Sequence, residues 1–218
     1  MKNLADRFSD FSDTPWCNFM NKKGKKALEK RKGVVLLKLE EKTVKQEILY
    51  QGKIINLRKD LALLENGNTA VREIVEHSGG VCVAALTEQN ELLFVRQFRY
   101  PYQKVLLELP AGKRNPGEDP LACGKRELKE ETGAVGRDYC FLGELYPTPG
   151  YCEEIIYLYG CRVDKMGQTN PDEDEFVEVE AIPLDRAVEM VLHNEIPDAK
   201  TQVLVLKTDA FLRSGGWK

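Results

Sequence analysis

One short segment, residues 112–133 (GKRNPGEDPLACGKRELKEETG), constrains the fold of this chain most strongly. It predicts a helix, because Asp119 is a good N-cap, Pro120 suits the first helical position, and Gly133 suits the residue that ends a helix. The inward stripe of this helix is marked by Leu121, Gly124 and Leu128. The segment therefore predicts a helix with one face packed against the rest of the domain.

Three glutamates lie on one flank of this helix. Glu127, Glu130 and Glu131 stand at positions i, i+3 and i+4, which are neighbours on a helix surface. Like charges at these spacings destabilise an isolated helix by about 0.2–0.5 kcal/mol per pair. A bound divalent cation would reverse this effect, because hard cations bind carboxylate oxygens. The residues alone leave two interpretations open, a metal site and a solvated acidic face.

Composition places the chain among globular proteins with one domain, or one domain and a small appendage. It has 218 residues, of which 42% are hydrophobic, enough to bury a core. No apolar run reaches the length of about 18 residues that a transmembrane helix needs, and residues 1–20 lack the apolar stretch of a secretory signal. Six cysteines without a CxxC pair and two histidines indicate neither a zinc site nor a disulfide framework. We therefore expect a cytoplasmic protein without a membrane partner.

The net charge of −3 combines two opposite regions. Residues 22–32, KKGKKALEKRK, hold seven bases against one acid and carry +6, so the rest of the chain carries −9. Twelve acids fall in two stretches, six within residues 108–131 and six within residues 172–180. An acidic body argues against a nucleic-acid groove there. The basic run is interpreted either as a tail for nucleic acid or acidic surfaces, or as an unusual extension or the result of a mis-chosen start codon, outside the functional part.

Alternating hydrophobic residues predict a sheet-rich chain. Residues 43–77 are expected to form a small antiparallel sheet, in which Asn66-Gly67 is the signal of a type I′ hairpin turn. Further strands are predicted at 81–87, 91–98, 104–109, 141–146, 154–163 and 176–182, and helices at 184–193 and 198–213. This order of elements predicts an α+β fold, an α/β/α sandwich preceded by a small antiparallel sheet.

The fixed residues of the 112–133 segment resemble the signature box of the Nudix hydrolases, which cleave nucleoside diphosphates linked to another moiety. Glu118 follows Gly112 after five residues, and after seven more the sequence reads RELKEETG from Arg126 to Gly133. One position departs from the family pattern, since Ala134 stands where a branched aliphatic residue is usual. The resemblance implies a Nudix sandwich in which a loop, a helix and a second loop present carboxylates to metal ions.

The same resemblance implies roles for the residues of the box. Glu127 and Glu131 would be the main ligands of Mg²⁺ (or Mn²⁺), with Glu130 as a further ligand or a catalytic orienting residue. The backbone carbonyl of Ala111 would complete the metal shell. The structural positions of the box are Gly112, Glu118, Arg126 and Gly133. Of these, the glutamate and the arginine are expected to form a buried pair that holds the loop against the helix.

A proline beyond the box resembles the mark of the ADP-ribose pyrophosphatases within the family. Pro149 stands sixteen residues after Gly133, in YPTPGYCEE. Other segments that resemble this group, in the same order, are GKIINLRKD, NGNTAVREIVEHSGG, VRQFRYP, LLELPAGK, DEDEFVEV and DAKTQ. The implied reaction is metal-dependent hydrolysis of ADP-ribose to AMP and ribose 5-phosphate. Two alternatives stay open: a pyrophosphatase for another nucleoside diphosphate sugar such as GDP-mannose, and a non-catalytic domain that senses ADP-ribose.

Three residues outside the box resemble substrate-binding residues of that group. Arg72 resembles the arginine that one subunit offers to its partner's substrate, and its alternative interpretation is a surface arginine of a strand. Arg99 resembles the arginine that contacts the diphosphate, where its fork of donors suits phosphate oxygens. Glu154 resembles the glutamate near the terminal ribose, with Glu153 as the neighbouring alternative.

The acidic stretch near residue 175 resembles the loop from which the family draws its late carboxylates. Glu173 is our candidate for the general base and Glu175 for an additional metal ligand, and a solvated acidic loop is the alternative. A carboxylate of ordinary pKa would suffice as the base if the metal has already acidified the water. His77 and His193 are expected to have structural roles.

The resemblance also implies a division of the chain into three parts. Residues 1–38 are expected to be an atypical, flexible extension, residues 39–77 an antiparallel sheet domain for dimerisation, and residues 78–218 the Nudix hydrolase domain. The implied assembly is a homodimer that exchanges the N-terminal sheet. No aromatic residue is assigned to the adenine of the substrate.

Overall fold

Ten strands and three helices make up the part of the chain that the computed structural model describes, residues 39–170 and 176–217. The strands are β1 (Lys42–Gln51), β2 (Asn56–Leu63), β3 (Thr69–Glu76), β4 (Gly80–Leu86), β5 (Glu91–Arg99), β6 (Lys104–Glu108), β7 (Ala111–Lys113), β8 (Ala134–Leu145), β9 (Ile156–Met166) and β10 (Val177–Pro183). The helices are α1 (Pro120–Thr132), α2 (Leu184–Leu192) and α3 (Ala199–Arg213), and Tyr100–Tyr102 forms a short 3₁₀ turn. Residues 1–38, Glu173 and Glu175 lie outside the described residues.

The first three strands form an antiparallel sheet in the order β1-β2-β3. The predicted turn lies between β2 and β3, but the type I′ assignment is wrong. Leu64 and Asn68 close the loop through a backbone hydrogen bond of 2.8 Å, and Gly67 alone in the loop has a positive φ, of 83°. A type I′ turn needs positive φ at both central residues, whereas a three-residue loop needs it only at the residue occupied here by glycine.

The other seven strands form a mixed sheet. Its main path runs β10-β5-β4-β9-β8, with β6 paired to β5 and β7 paired to β4. Strands β4 and β9 are parallel, in a register that places Val83 opposite Tyr159, and the remaining pairs are antiparallel. The parallel pair lies in the middle of the sheet, where it is covered from both sides, as parallel strands usually are.

Both faces of β4 are buried, which makes it the centre of the core. Its odd-numbered residues pack with Cys123 and Leu128 of α1 in one hydrophobic cluster, and its even-numbered residues on the opposite face are fully buried as well. Helix α1 approaches β4 closely, because a Cβ atom on Gly124 would lie 2.9 Å from Val81 Cγ1. These layers confirm the predicted α+β class.

Two strand predictions needed correction. Strand β8 begins at Ala134, earlier than the predicted residue 141, because Gly133 adopts a left-handed conformation (φ 72°) that turns the chain from α1 directly into the sheet. Strand β7, with only three residues, was not predicted, since its pairing with β4 comes from tertiary structure and not from its own pattern. Within the described ranges, no helix has the length and apolar character needed to cross a membrane.

Candidate active site

Helix α1 is fixed at both ends by the residues that predicted it. Asp119 accepts a hydrogen bond of 2.9 Å from the backbone N–H of Ala122, which caps the first turn. At the other end, a Cβ atom on Gly133 would overlap the carbonyl of Gly167, and the backbone carbonyl of Gly133 accepts the N–H of Gly167 at 2.8 Å. The helix therefore enters and leaves the sheet in a defined orientation, which sets the direction of its carboxylates.

Arg126 lies among three carboxylates, one from the loop before α1 and two from α1 itself, and connects them. Its guanidinium contacts Glu118 at 3.0 and 3.1 Å, Glu127 at 2.7 Å and Glu130 at 2.9 Å. The predicted pair with Glu118 is present, but it is only half-buried, and the arginine also neutralises two glutamates of the box. Arg126 thus lowers the repulsion that the helical spacing creates.

The loop before α1 is held by the same arginine. The hydrogen bond from Arg126 lowers the pKa of Glu118 to about 2 and raises the pKa of Arg126 above its ordinary value. Glu118 also accepts the backbone N–H of Asn115 at 2.8 Å, while Arg126 reaches the carbonyl of Lys113 at 3.4 Å. The pair therefore stays ionised at neutral pH and ties the loop to the helix.

Glu127 occupies the space that a side chain at position 112 would need. A Cβ atom on Gly112 would overlap the carboxylate of Glu127. The glutamate side chain is only 11% exposed, so it cannot move freely into solvent. A methyl group at position 112 would therefore displace this carboxylate from its place beside β7.

Glu131 is the most deeply buried of the three glutamates Glu127, Glu130 and Glu131 of α1. It is 2% exposed and accepts the backbone N–H of Ala111 at 2.9 Å. This hydrogen bond joins the last turn of α1 to the first residue of β7. Ala111 and Gly112 are thus each in contact with one glutamate of the helix.

The donor set of α1 has the chemistry of a divalent-cation site. Glu127, Glu130 and Glu131 supply only carboxylate oxygens, the ligands that hard cations prefer, and Mg²⁺ usually binds through one or two carboxylates and several waters. Over residues 39–170 and 176–217, no three acidic, histidine or cysteine side chains already form a metal-binding cluster. The oxygen-only chemistry of these three side chains nevertheless fits such an ion.

A cavity of about 700 Å³ adjoins β7. Ala111 and Gly112 belong to its wall, together with the start of β4, the end of β5 and the start of α3. Four cationic side chains line it, against two acidic ones: Arg99, Lys104, Lys113 and Lys200, against Glu154 and Asp198. The surplus of positive charge favours an anionic ligand.

Two of the predicted substrate-binding residues reach this cavity. Arg99 lines it from the end of β5, with its Nε and Nη2 atoms bonded to the carboxylate of Glu108 at 2.7 and 2.6 Å. Glu154 lines it with its carboxylate 3.5 Å from Nδ1 of His77. Its neighbour Glu153 instead forms an ion pair with Arg58 at 2.7 Å.

Arg72 does not line this cavity. It lies on β3, where its guanidinium pairs with Glu41, the residue before β1, at 2.6 Å, and its side chain is 41% exposed. It borders a separate, shallower depression together with Tyr151. The structure therefore separates Arg72 from the other predicted substrate-binding residues of the same chain.

Comparison with known proteins identifies the family. The sequence model of the NUDIX domain matches residues 69–204. The chain belongs to the Nudix family. It is 39% identical over 165 residues to an ADP-ribose pyrophosphatase from Bacillus subtilis, covering 75% of this chain and 89% of that protein. It is 40% identical over 168 residues to a methanol dehydrogenase activator from Bacillus methanolicus, covering 76% and 91%.

A solved structure has the same fold. The crystal structure of an ADP compounds hydrolase covers 81% of this chain and 96% of its own with a TM-score of 0.71, at 19% identity. Nudix hydrolases generally need divalent metal ions, in agreement with the carboxylates of α1. The box predicted from sequence is therefore part of a Nudix domain.

Three residues at the cavity were not singled out as candidates by the sequence reasoning. Glu108, Lys200 and His77 lie in or directly behind the cavity wall, and the structural role expected of His77 stays a prediction. Each stands in a segment that resembled the family, LLELPAGK, DAKTQ or NGNTAVREIVEHSGG, but no spacing rule singled it out. The candidates Glu173 and Glu175 lie outside the described residues.

Proposed function

We propose that this chain hydrolyses the pyrophosphate bond of ADP-ribose to AMP and ribose 5-phosphate, with Mg²⁺ or Mn²⁺ as cofactor. One observation carries the proposal. Ala111 and Gly112 form part of the cavity wall and also contact Glu131 and Glu127, so these two carboxylates lie directly behind that wall. A nucleotide diphosphate and its metal would thus share one site.

The residues of α1 would hold the metal. Mg²⁺ or Mn²⁺ bound to Glu127, Glu130 and Glu131 would polarise the phosphoryl oxygens and acidify the attacking water. Arg126 neutralises two of these carboxylates, because its Nη1 atom contacts Glu127 at 2.7 Å and Glu130 at 2.9 Å. The carbonyl of Ala111 is proposed as a further ligand.

The cavity residues would bind and orient the substrate. Arg99 is proposed to bind the diphosphate, because its guanidinium is oriented by two hydrogen bonds from behind. Glu154 is proposed to accept a hydrogen bond from the terminal ribose. Glu173 is proposed as the general base and Glu175 as an additional metal ligand, on the resemblance of their segment to the family.

Support for ADP-ribose as substrate comes from the Bacillus subtilis relative named for that activity. We expect kcat/KM for ADP-ribose to exceed that for GDP-mannose by at least about tenfold, the scale on which a shaped pocket discriminates between related ligands. The measurement is a panel of nucleoside diphosphate sugars assayed with the full chain and Mg²⁺.

The panel also tests the two alternatives. A higher kcat/KM for GDP-mannose would replace ADP-ribose by that substrate. Absence of turnover on every member, with measurable ADP-ribose binding, would indicate a sensor and not an enzyme.

We further propose that the chain is a homodimer that exchanges its N-terminal sheet, residues 39–77, and that residues 78–218 form the catalytic domain. All ten residues of β1 are exposed, and the exposed apolar residues of β1, the loop after it and β3 include Val44, Ile48, Tyr50, Ile54 and Val71. A free apolar surface of this kind is typical of an interface. Arg72, which does not reach its own cavity, would then serve the partner subunit.

Light scattering on a sizing column tests the dimer. The expected mass is twice the 24.8 kDa of the chain, and Ile48→Glu is expected to produce monomers because it places a charge in the apolar interface. Leu192→Glu, at an exposed apolar position of α2 outside this sheet, is the control and should remain dimeric. A wild-type mass of one chain at micromolar concentration would contradict the proposal.

The five described cysteines are all free, which supports a cytoplasmic location that fractionation of the source cells can test.

A further inference from the structure

Lys200 is a second cation at the wall of the cavity, and none of the roles above uses it. It stands in the first turn of α3, and its side chain is only 12% exposed. A lysine at this position is disfavoured by the helix dipole, whose positive end lies at the N-terminus. A buried cation at the start of a helix therefore needs a compensating partner or a ligand.

The compensating partner is Glu108, which Lys200 shares with Arg99. Glu108 is 1% exposed and does not line the cavity. Its Oε2 atom accepts a hydrogen bond of 2.6 Å from Arg99 Nη2 and is also in contact with Lys200 Nζ. Because both cations bond to the same oxygen, their charged groups are adjacent, with the carboxylate behind them and the cavity in front.

All three groups are charged at neutral pH. Burial alone would raise the pKa of Glu108, but the hydrogen bond from Arg99 and the charge of Lys200 hold it below its ordinary value. Burial alone would lower the pKa of Lys200, but Glu108 and Asp198 hold it above its ordinary value. One buried carboxylate thus maintains two cations side by side.

Both cations retain donors for a ligand. A lysine ammonium has three donors, of which Glu108 and Asp198 take two, the second at 3.0 Å. In the described part of the chain, the third donor of Lys200 and the Nη1 atom of Arg99 have no hydrogen-bond partner. Oxygen atoms of an anion in the cavity could accept hydrogen bonds from both of these donors.

We propose that Lys200 and Arg99 together form a paired cation site for the diphosphate group of the substrate. The proposal rests on the proposed function in so far as the substrate carries a diphosphate, and it adds a binding residue to that function. The competing explanation is that Lys200 only joins the end of β6 to the start of α3. A hydrogen bond of 2.9 Å from the backbone N–H of Leu109 to Thr201 already joins these two segments.

Calorimetry in EDTA tests the proposal, because the substrate binds without being hydrolysed when no metal is present. The ligands are inorganic pyrophosphate, ADP-ribose and adenosine. Lys200→Met is expected to raise the Kd of the two diphosphates about tenfold, the scale of one charge-assisted hydrogen bond, and to leave the Kd of adenosine unchanged. Lys200→Arg is expected to restore most of the affinity.

Two further variants keep the test decisive. Lys207→Met removes the same charge from the same helix, at a side chain bonded to the carbonyl of Leu142, and should change neither Kd by more than about twofold. Lys200→Gln can still donate a hydrogen bond to Glu108 but carries no charge, so it is expected to weaken pyrophosphate binding even if Lys200→Met does not fold.

The outcomes separate this proposal from the choice of substrate. Wild-type protein that binds pyrophosphate but not ADP-ribose would show that the proposed substrate is wrong, and the comparison of Lys200 variants would still decide the cation site. Unchanged pyrophosphate affinity in Lys200→Met, with a lowered Tm, would overturn the cation site in favour of a structural role. A wild-type protein that binds neither ligand would overturn it as well.

Discussion

The Glu131→Gln variant is expected to lower kcat for ADP-ribose by about 10³-fold while the fold stays intact. The carboxylate is buried and accepts the N–H of Ala111, and a glutamine oxygen can accept the same hydrogen bond. The variant loses the negative charge that would hold the metal. The metal supplies several kcal/mol of transition-state stabilisation, and losing it lowers the rate by a factor of about this size. Initial rates measured with Mg²⁺ give kcat, and the Tm of the variant shows whether the fold is intact.

Lys129→Gln is the matched control for this variant. Lys129 lies on the exposed face of the same helix, and its substitution removes a charge at a position that is not one of the fixed residues of the box. Its kcat should remain within about twofold of wild type, as for most exposed substitutions away from a site. A Glu131→Gln enzyme with a similar rate would show that Glu131 is not part of the catalytic machinery.

The Gly112→Ala variant is expected to lose both stability and activity. Its new methyl group would overlap the carboxylate of Glu127, whose side chain is itself confined. Overpacking of this kind costs about 1–3 kcal/mol of unfolding free energy, and a displacement of about 1 Å at a reacting group can reduce the rate about 10²-fold. Urea unfolding and initial rates measure the two effects.

Gly150→Ala is the control for the added methyl group. A Cβ atom at that position would meet nothing within 4 Å, and the glycine has no positive φ. Its free energy of unfolding should be close to that of wild type. Equal stability and activity of Gly112→Ala and wild type would contradict the contact between Gly112 and Glu127.

The elements that the sequence predicted best are those with local causes. Helix α1 begins and ends where Asp119 and Gly133 indicated, because capping depends on residues within one turn. Strands β4 and β5 also match their predictions within one residue, since continuous apolar runs fit a sheet that is buried on both sides. The residues of the box were found by their spacing, which is again local.

The parts that the sequence could not predict depend on contacts between distant residues. Glu108 and Lys200 are 92 positions apart, and only the fold brings their charges together. Likewise, only the fold brings the backbone N–H of Ala111 to Glu131, which is 20 positions away. For Gly112, the sequence indicated a fixed position in the box, and the structure supplied the physical reason.

The central claim is that the glutamates of α1 and the adjoining cavity serve the hydrolysis of ADP-ribose. The most direct test is incubation of the full chain with ADP-ribose and Mg²⁺ in ¹⁸O-water, followed by mass spectrometry of the products. We predict AMP and ribose 5-phosphate in equal amounts, with one ¹⁸O atom in one of the two products and almost none of either product from Glu131→Gln. Intact ADP-ribose after incubation with wild-type enzyme, or the same yield from both proteins, would contradict the claim.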